Sequence, residues 1–257
     1  IEIDGLVIQK NAYDTTCIQP EFISVRKVVA DGLGLISMIF RSELAIDEVQ
    51  LFNPHFVIGQ HSHFLPDSTA KRENEFTISL GKTKLVSARI EYLDSASCSR
   101  LADIASNVTL SSLIMTLSPD EPMDLTMEAI AFDNSRLDMP KEFYTVRIKK
   151  TKINFSKGAV RLDTLRIIPH YAKLRFARKK GYETDRIEGI IPFLNLSGFS
   201  MTFTDTVALT ATNAEIQMYF KIFRDKRFPF KKIYKPLPVE RLRALGFGLN
   251  IDTLKVI

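Results

Sequence analysis

The chain has 257 residues, 45% of them hydrophobic and 25% charged, with a formal net charge of +5; that balance excludes wholesale disorder and allows one large domain or two ordinary ones. No apolar run reaches 18 residues without a charge, so nothing reads as a membrane-spanning helix, and two cysteines, Cys17 and Cys98, are too few for a disulfide framework or a four-ligand zinc site. The charge is divided, with 11 Lys/Arg against 20 Asp/Glu in residues 1–140 and 24 against 10 in residues 141–257, so one continuous segment with a possible subdivision near 140 is expected.

The first predicted element is Ile1-Glu2-Ile3-Asp4-Gly5-Leu6-Val7-Ile8. It carries neither Met nor a basic-then-apolar leader, the pattern of a piece of a longer protein. Val28 to Leu35 follows with Gly32 where a strand must turn or be approached closely, and 35–44 suits a short helix. Residues 44–51 repeat the opening phrase. Period-two alternation then marks strands at Phe76-Thr77-Ile78-Ser79-Leu80, Val108-Thr109-Leu110 and Val146-Arg147-Ile148. Residues 160–167 are a third copy of the phrase. A short helix is predicted over 171–180, stopping at Gly181. Leu194 to Met201 resembles the stretch around Gly32, and Ile216-Gln217-Met218-Tyr219-Phe220 is a further strand. Pro238 and Gly246 bracket another short helix, and residues 249–256 are the fourth copy. The fold class expected is all-β, a repeat-built curved sheet with short helical caps.

The four copies fit apolar-x-(Ile/Leu)-Asp-x-(Leu/Val)-x-apolar, with the acid at Asp4, Asp47, Asp163 and Asp252. One copy is commonplace, but four at one register argue for repeated construction units. Ile46 and Val49 are three apart, and a plain strand would send them to opposite faces. A bulge or corner at the Asp-x step would return both to one face and bend the strand. Repeated bends of one sense would curl a sheet into a trough whose terminal strands present open edges for strand addition.

The run from Val25-Arg26-Lys27-Val28 through Phe40-Arg41-Ser42-Glu43 to Asp47, with Pro54 behind it, resembles the opening repeat of the AsmA-like family of Gram-negative envelope proteins, which is similar in construction to bridge-like lipid-transfer proteins. Val160 to Pro169, Phe176-Ala177-Arg178, Gly181-Tyr182, Asp185-Arg186-Ile187, Phe223 to Pro229 and Lys235-Pro236-Leu237-Pro238 resemble its Bacteroidota branch. Residues 60–140 match only in general β character. The resemblance implies a long groove with an apolar concave face and movement of phospholipid toward the outer membrane. It further implies a periplasmic protein anchored in the inner membrane by a segment not seen here, with outer-membrane machinery as a possible partner.

On that reading Ile3, Leu6, Ile46, Val49, Leu162, Leu165, Ile251 and Leu254 line the groove. Arg175, Arg178, Lys179, Arg224, Lys226 and Arg227 meet lipid head groups or a membrane surface, where interleaved Phe220, Phe223, Phe228 and Phe230 suit the water–hydrocarbon boundary. No enzyme, cofactor or metal is expected. His55, His61 and His63 lack partners at metal spacing, and Cys17 lacks a base. Asn195 to Gly198 is similar to part of a cyclic-dinucleotide-binding PilZ barrel, but its companion arginines are misplaced and a strand turn explains it better. The basic clusters lack Trp and any nucleic-acid module, so no nucleic acid is expected. The competing reading is an envelope scaffold whose trough is filled by its own side chains.

Overall fold

A computed structural model describes residues 1–9, 22–34, 42–59, 75–93, 100–118, 124–139, 143–203, 207–229 and 247–257. The protein is all-β, with thirteen strands and one helix among the described residues. The chain divides into two compact units, Ile1–Pro140 and Lys141–Ile257, and the division falls between the acidic and basic stretches of the sequence.

The first unit holds β1 (Glu2–Gln9), β2 (Phe22–Leu33), β3 (Glu43–Phe52), β4 (His55–Gly59), β5 (Phe76–Leu93), β6 (Arg100–Leu117) and β7 (Asp124–Asp138). Its lateral order is β1-β2-β3-β5-β6-β7, and β4 occupies the same lane as β3, between β2 and β5. Pairing is antiparallel except that β3 and β4 run parallel to β5. Asn53, with φ +49, and the fully buried Pro54 divide β3 from β4, since proline cannot donate to a ladder. The helix expected over 35–44 ends early at the least, because Glu43 and Leu44 already open β3; residues 35–41 lie outside the described residues.

The second unit holds β8 (Tyr144–Asn154), β9 (Ala159–Pro169), α1 (Lys173–Lys180), β10 (Asp185–Ser197), β11 (Ser200–Phe203), β12 (Val207–Arg224) and β13 (Phe247–Val256). The order is β8-β9-β10-β12, with β11 continuing the lane of β10 and β13 parallel to the far side of β12. Helix α1 fills the place predicted for it and stops at Gly181 in the left-handed region, whose N–H donates to Ala177 O at 2.8 Å. Arg178, Lys179 and Lys180 in its last turn complement the helix dipole. Its buried Phe176 packs edge-on against Phe143 with centroids 5.2 Å apart. The helix bracketed by Pro238 and Gly246 lies outside the described residues, as do Cys17, Cys98, His61 and His63. Among the described residues β1 has β2 as its one neighbour and β13 has β12.

All four copies of the phrase are strands, and pairing is interrupted at the Asp-x step in each. Gly5 and Arg26 are left out of the β1–β2 ladder, Thr164 out of the ladders on both its sides, and Asp252 out of the β12–β13 ladder. Around Asp47 the interruption crosses the unit as a row: Gly32, Asp47, Gly81, Ser112 and Glu128 are skipped in successive ladders. Gly5 and Gly32 have φ +70, Ser112 +51 and Thr164 +53, so left-handed residues bend the strands at these steps. Gly32 lies against the Asp47 side chain, and a Cβ on Gly81 would sit 2.7 Å from the Asp47 carbonyl oxygen. Glycine is what lets the neighbouring strands close on Asp47.

Candidate functional site

Cross-strand partners share a face of a sheet, so the register sorts the first unit into rows. Leu33, Ile46, Leu80, Leu113 and Met127 form one row on one side of the Asp47 interruption. Ile3, Val28, Leu51, Leu85, Val108 and Phe132 form a row on the other side, six strands wide. Ile8, Ile23, Phe56, Ile90, Ile104 and Leu137 form a third. In β2, β3, β5, β6 and β7 the apolar positions change parity at the interrupted row. A strand with unbroken alternation would turn half of them over; the bend reverses the alternation and keeps the apolar rows on one face. Two register shifts, after Leu85 in β5 and opposite Ala105 in β7, reverse it again further along.

The second unit follows the same rule about Thr164. Ile148, Leu165 and Ile191 lie in one row. Thr151, Leu162, Leu194, Ile216 and Val256 lie in the next across the break, followed by Ile153, Val160, Leu196, Ala214 and Leu254.

Each groove residue expected from the sequence falls in an apolar row or pair. Leu6 is opposite Val25, Val49 lies between Ala30 and Thr83, and Ile251 is opposite Ala211. Ile46, Val49, Leu162, Leu165 and Ile251 are half-buried, whereas Ile3 is 50% exposed and Leu254 61% exposed. Within each unit the described elements touch chiefly their ladder neighbours, so no second layer of described strands seals this face. Thr83 is the polar member of its row, buried, and its hydroxyl has no hydrogen-bond partner among the described residues.

The alternate rows carry the charged pairs, with Ile114 and Phe193 among their apolar members. Glu48 pairs with Lys84 at 2.6 Å. Arg89 donates two hydrogen bonds to the Asp103 carboxylate, at 3.0 and 2.8 Å, and lies 3.1 Å from Glu91, which also meets His55 at 3.1 Å. The hydrogen bond from Arg89 holds the Asp103 carboxyl below the usual carboxylate range. A depressed carboxyl stabilises the fold above its unfolded value, about 3.9, and the contribution is lost as pH falls through the lower folded value. Asp103→Asn is therefore expected to cost about 1 kcal/mol at neutral pH, the half-exposed guanidinium screening the pair. Denaturant unfolding of both proteins at pH 7 and at about pH 3 should show the difference closing in acid. A gap that persists there would place the cost in packing.

The head-group residues divide into two groups. Arg224 is bidentate to Asp185 at 2.6 and 2.7 Å, and Arg227 to Asp225 at 2.8 and 2.7 Å; each guanidinium is held more firmly protonated by its carboxylate. Arg175, Arg178 and Lys179 are exposed on α1, with Lys179 5.8 Å from the ring centroid of Tyr171, and Lys226 is exposed in the turn after β12. Asn195 to Gly198 forms the end of β10 and a turn at Gly198, φ +62, where the Thr212 side chain lies against the glycine. Among the described residues no cluster of His, Cys, Asp or Glu suits a metal, and no helix is long and apolar enough to cross a membrane. No family model, curated protein or solved structure matches the chain.

Proposed function

We propose that this protein binds lipid acyl chains on the apolar face of its sheets, as a segment of a phospholipid carrier of the AsmA-like kind working in the periplasm. The observation that supports this best is the set of apolar rows kept on one face by bends at the Asp-x steps, with exposed members such as Ile3 and Leu254. A core-forming sheet would bury such rows; a binding face leaves them accessible. Burying a CH₂ is worth roughly 0.8 kcal/mol, so a sixteen-carbon chain leaving a membrane for water faces about 13 kcal/mol. A face of Ile, Leu, Val and Phe offsets that cost without any catalytic group, while a phosphate head stays in water.

The test is photocrosslinking. A photoreactive residue at Val49 or Leu194 should capture phospholipid, identified by mass spectrometry, while the same residue at Gln50 or Gln217, in the alternate rows, should not. Equal labelling of both faces, or none in cells or with added lipid, overturns the reading and favours the scaffold.

A further inference from the structure

Several described basic side chains are paired with acids, among them Lys84 with Glu48, Arg89 with Asp103, Arg224 with Asp185 and Lys255 with Glu215. Elsewhere four basic side chains gather around a single carboxylate. At the hairpin end of β8 and β9 an open cleft of about 560 Å³ is lined by Lys150, Lys152, Lys157 and Arg161, with Asp163 the one carboxylate and Asn195 reaching it from β10. That volume is in the range of small-ligand sites, about 300–1,000 Å³. Asp163 accepts from Arg161 Nε at 3.1 Å, and no carboxylate among the described residues pairs with Lys152 or Lys157. Lys152 and Arg161 stand directly opposite one another in the ladder, where like charges are destabilising.

The cleft is also fixed in shape. Asn154, buried, accepts the Lys157 N–H on its Oδ1 at 2.7 Å and holds the turn that carries this lysine. Gly158 O accepts from Phe199 N at 2.8 Å, tying the turn to the segment after β10. A rigid frame that brings like charges together, at a cost to folding, is the arrangement of a preorganised anion site.

We infer that this cleft binds a phosphate group, as a phosphate ester or a phospholipid head, with Lys152, Lys157 and Arg161 as its principal donors. Ammonium and guanidinium groups form strong charge-assisted bonds to phosphate oxygens, and Ala159, Val160 and Leu196 with the aliphatic stems of the lysines supply the apolar part of the wall. Lys152 and Arg161 stand in an alternate row, while Val160 and Leu196 of an apolar row also line the cleft; inorganic phosphate, which needs no acyl chain, tests the site apart from the acyl-chain face.

Calorimetric titration with inorganic phosphate and co-sedimentation with vesicles of phosphatidylcholine, with and without phosphatidylglycerol, test it on the whole chain. Binding to at least one phosphate probe is expected, and Lys152→Gln/Lys157→Gln should weaken it about tenfold or more. Thermal unfolding of that variant should be unchanged or slightly raised, since a like-charge contact is removed. Arg26→Gln/Lys82→Gln, exposed cations of the first unit that belong to no proposed site, should bind as the wild type does. Phosphate binding without vesicle binding identifies a soluble phosphate compound; anionic-vesicle binding lost in the cleft variant identifies a lipid head. No binding of either probe, or an equal loss in the first-unit variant, overturns the inference.

Discussion

Leu165→Arg should abolish lipid capture by a photoreactive residue at Leu194 while leaving the protein folded. Leu165 lies between Ile148 and Ile191 in an apolar row, one interruption away from the row of Leu162 and Leu194, and it is half-buried. A guanidinium on an accessible face carries its charge to water along its own stem, so stability should fall by only about 1 kcal/mol. An acyl chain laid along the same rows would have to desolvate that charge or leave the face, at a cost of several kcal/mol. The yield of lipid adduct at Leu194 should therefore drop at least tenfold with a small shift in thermal midpoint. Were the rows a sealed core, the unpaired charge would cost about 3–5 kcal/mol and unfold the unit. Unfolding of Leu165→Arg thus favours a scaffold. A folded variant that still captures lipid removes Leu165 from the binding face.

Gly32→Val should cost the first unit about 3 kcal/mol or more. The new side chain meets two obstacles. Gly32 has φ +70, where a β-branched residue is strained by roughly 1–2 kcal/mol. Its Cβ would also fall on the Asp47 side chain. For a unit of this size the thermal midpoint should drop roughly 6–12 °C. Asp47→Gly removes the second obstacle, which includes the Asp47 Cβ 2.5 Å away, but not the first, so the double variant should recover part of the loss. Gly81→Ala behaves differently, because its Cβ meets the Asp47 backbone oxygen at 2.7 Å and no truncation of Asp47 relieves that. A double-mutant cycle by denaturant unfolding separates the three cases. Equal stability of Gly32→Val and wild type would show that the strands do not need to close on Asp47.

The phrase built on Asp4, Asp47, Asp163 and Asp252 was legible as strands with a bend because apolar parity changes within eight residues, a signal local to one strand. The extension of the Asp47 interruption through Gly81, Ser112 and Glu128 was not, since β6 and β7 carry no Asp at that step and the row exists only once ladders set the register. A signal was present all the same: Ile78 and Leu80 against Thr83 and Leu85, or Met127 against Ile130, make the same change of parity. The charged cleft was half visible in Lys149-Lys150-x-Lys152. Its convergence on Arg161 depends on the pairing of β8 with β9, and its fixed turn on the Asn154 side chain. Likewise Arg224 and Arg227 read as surface cations in a basic run, whereas folding gives each a carboxylate, one of them 39 residues away in the chain.

The interrupted rows also decide which changes of length the chain can absorb. Within an ordinary alternating strand, losing one residue inverts everything beyond it. At Gly5 or Thr164 the strand already contains one such inversion, so deleting either residue would restore uniform alternation with the apolar side chains still on one face. The cost would fall on the ladder, where the residue opposite, Arg26 for Gly5 and Lys149 and Pro192 for Thr164, would lose its counterpart. At the row through Asp47 five strands invert together, and a one-residue deletion in any of them would leave that strand out of step with both neighbours. Descendants of such a gene can therefore drift in residue type across these strands, yet their gaps must fall in the connections.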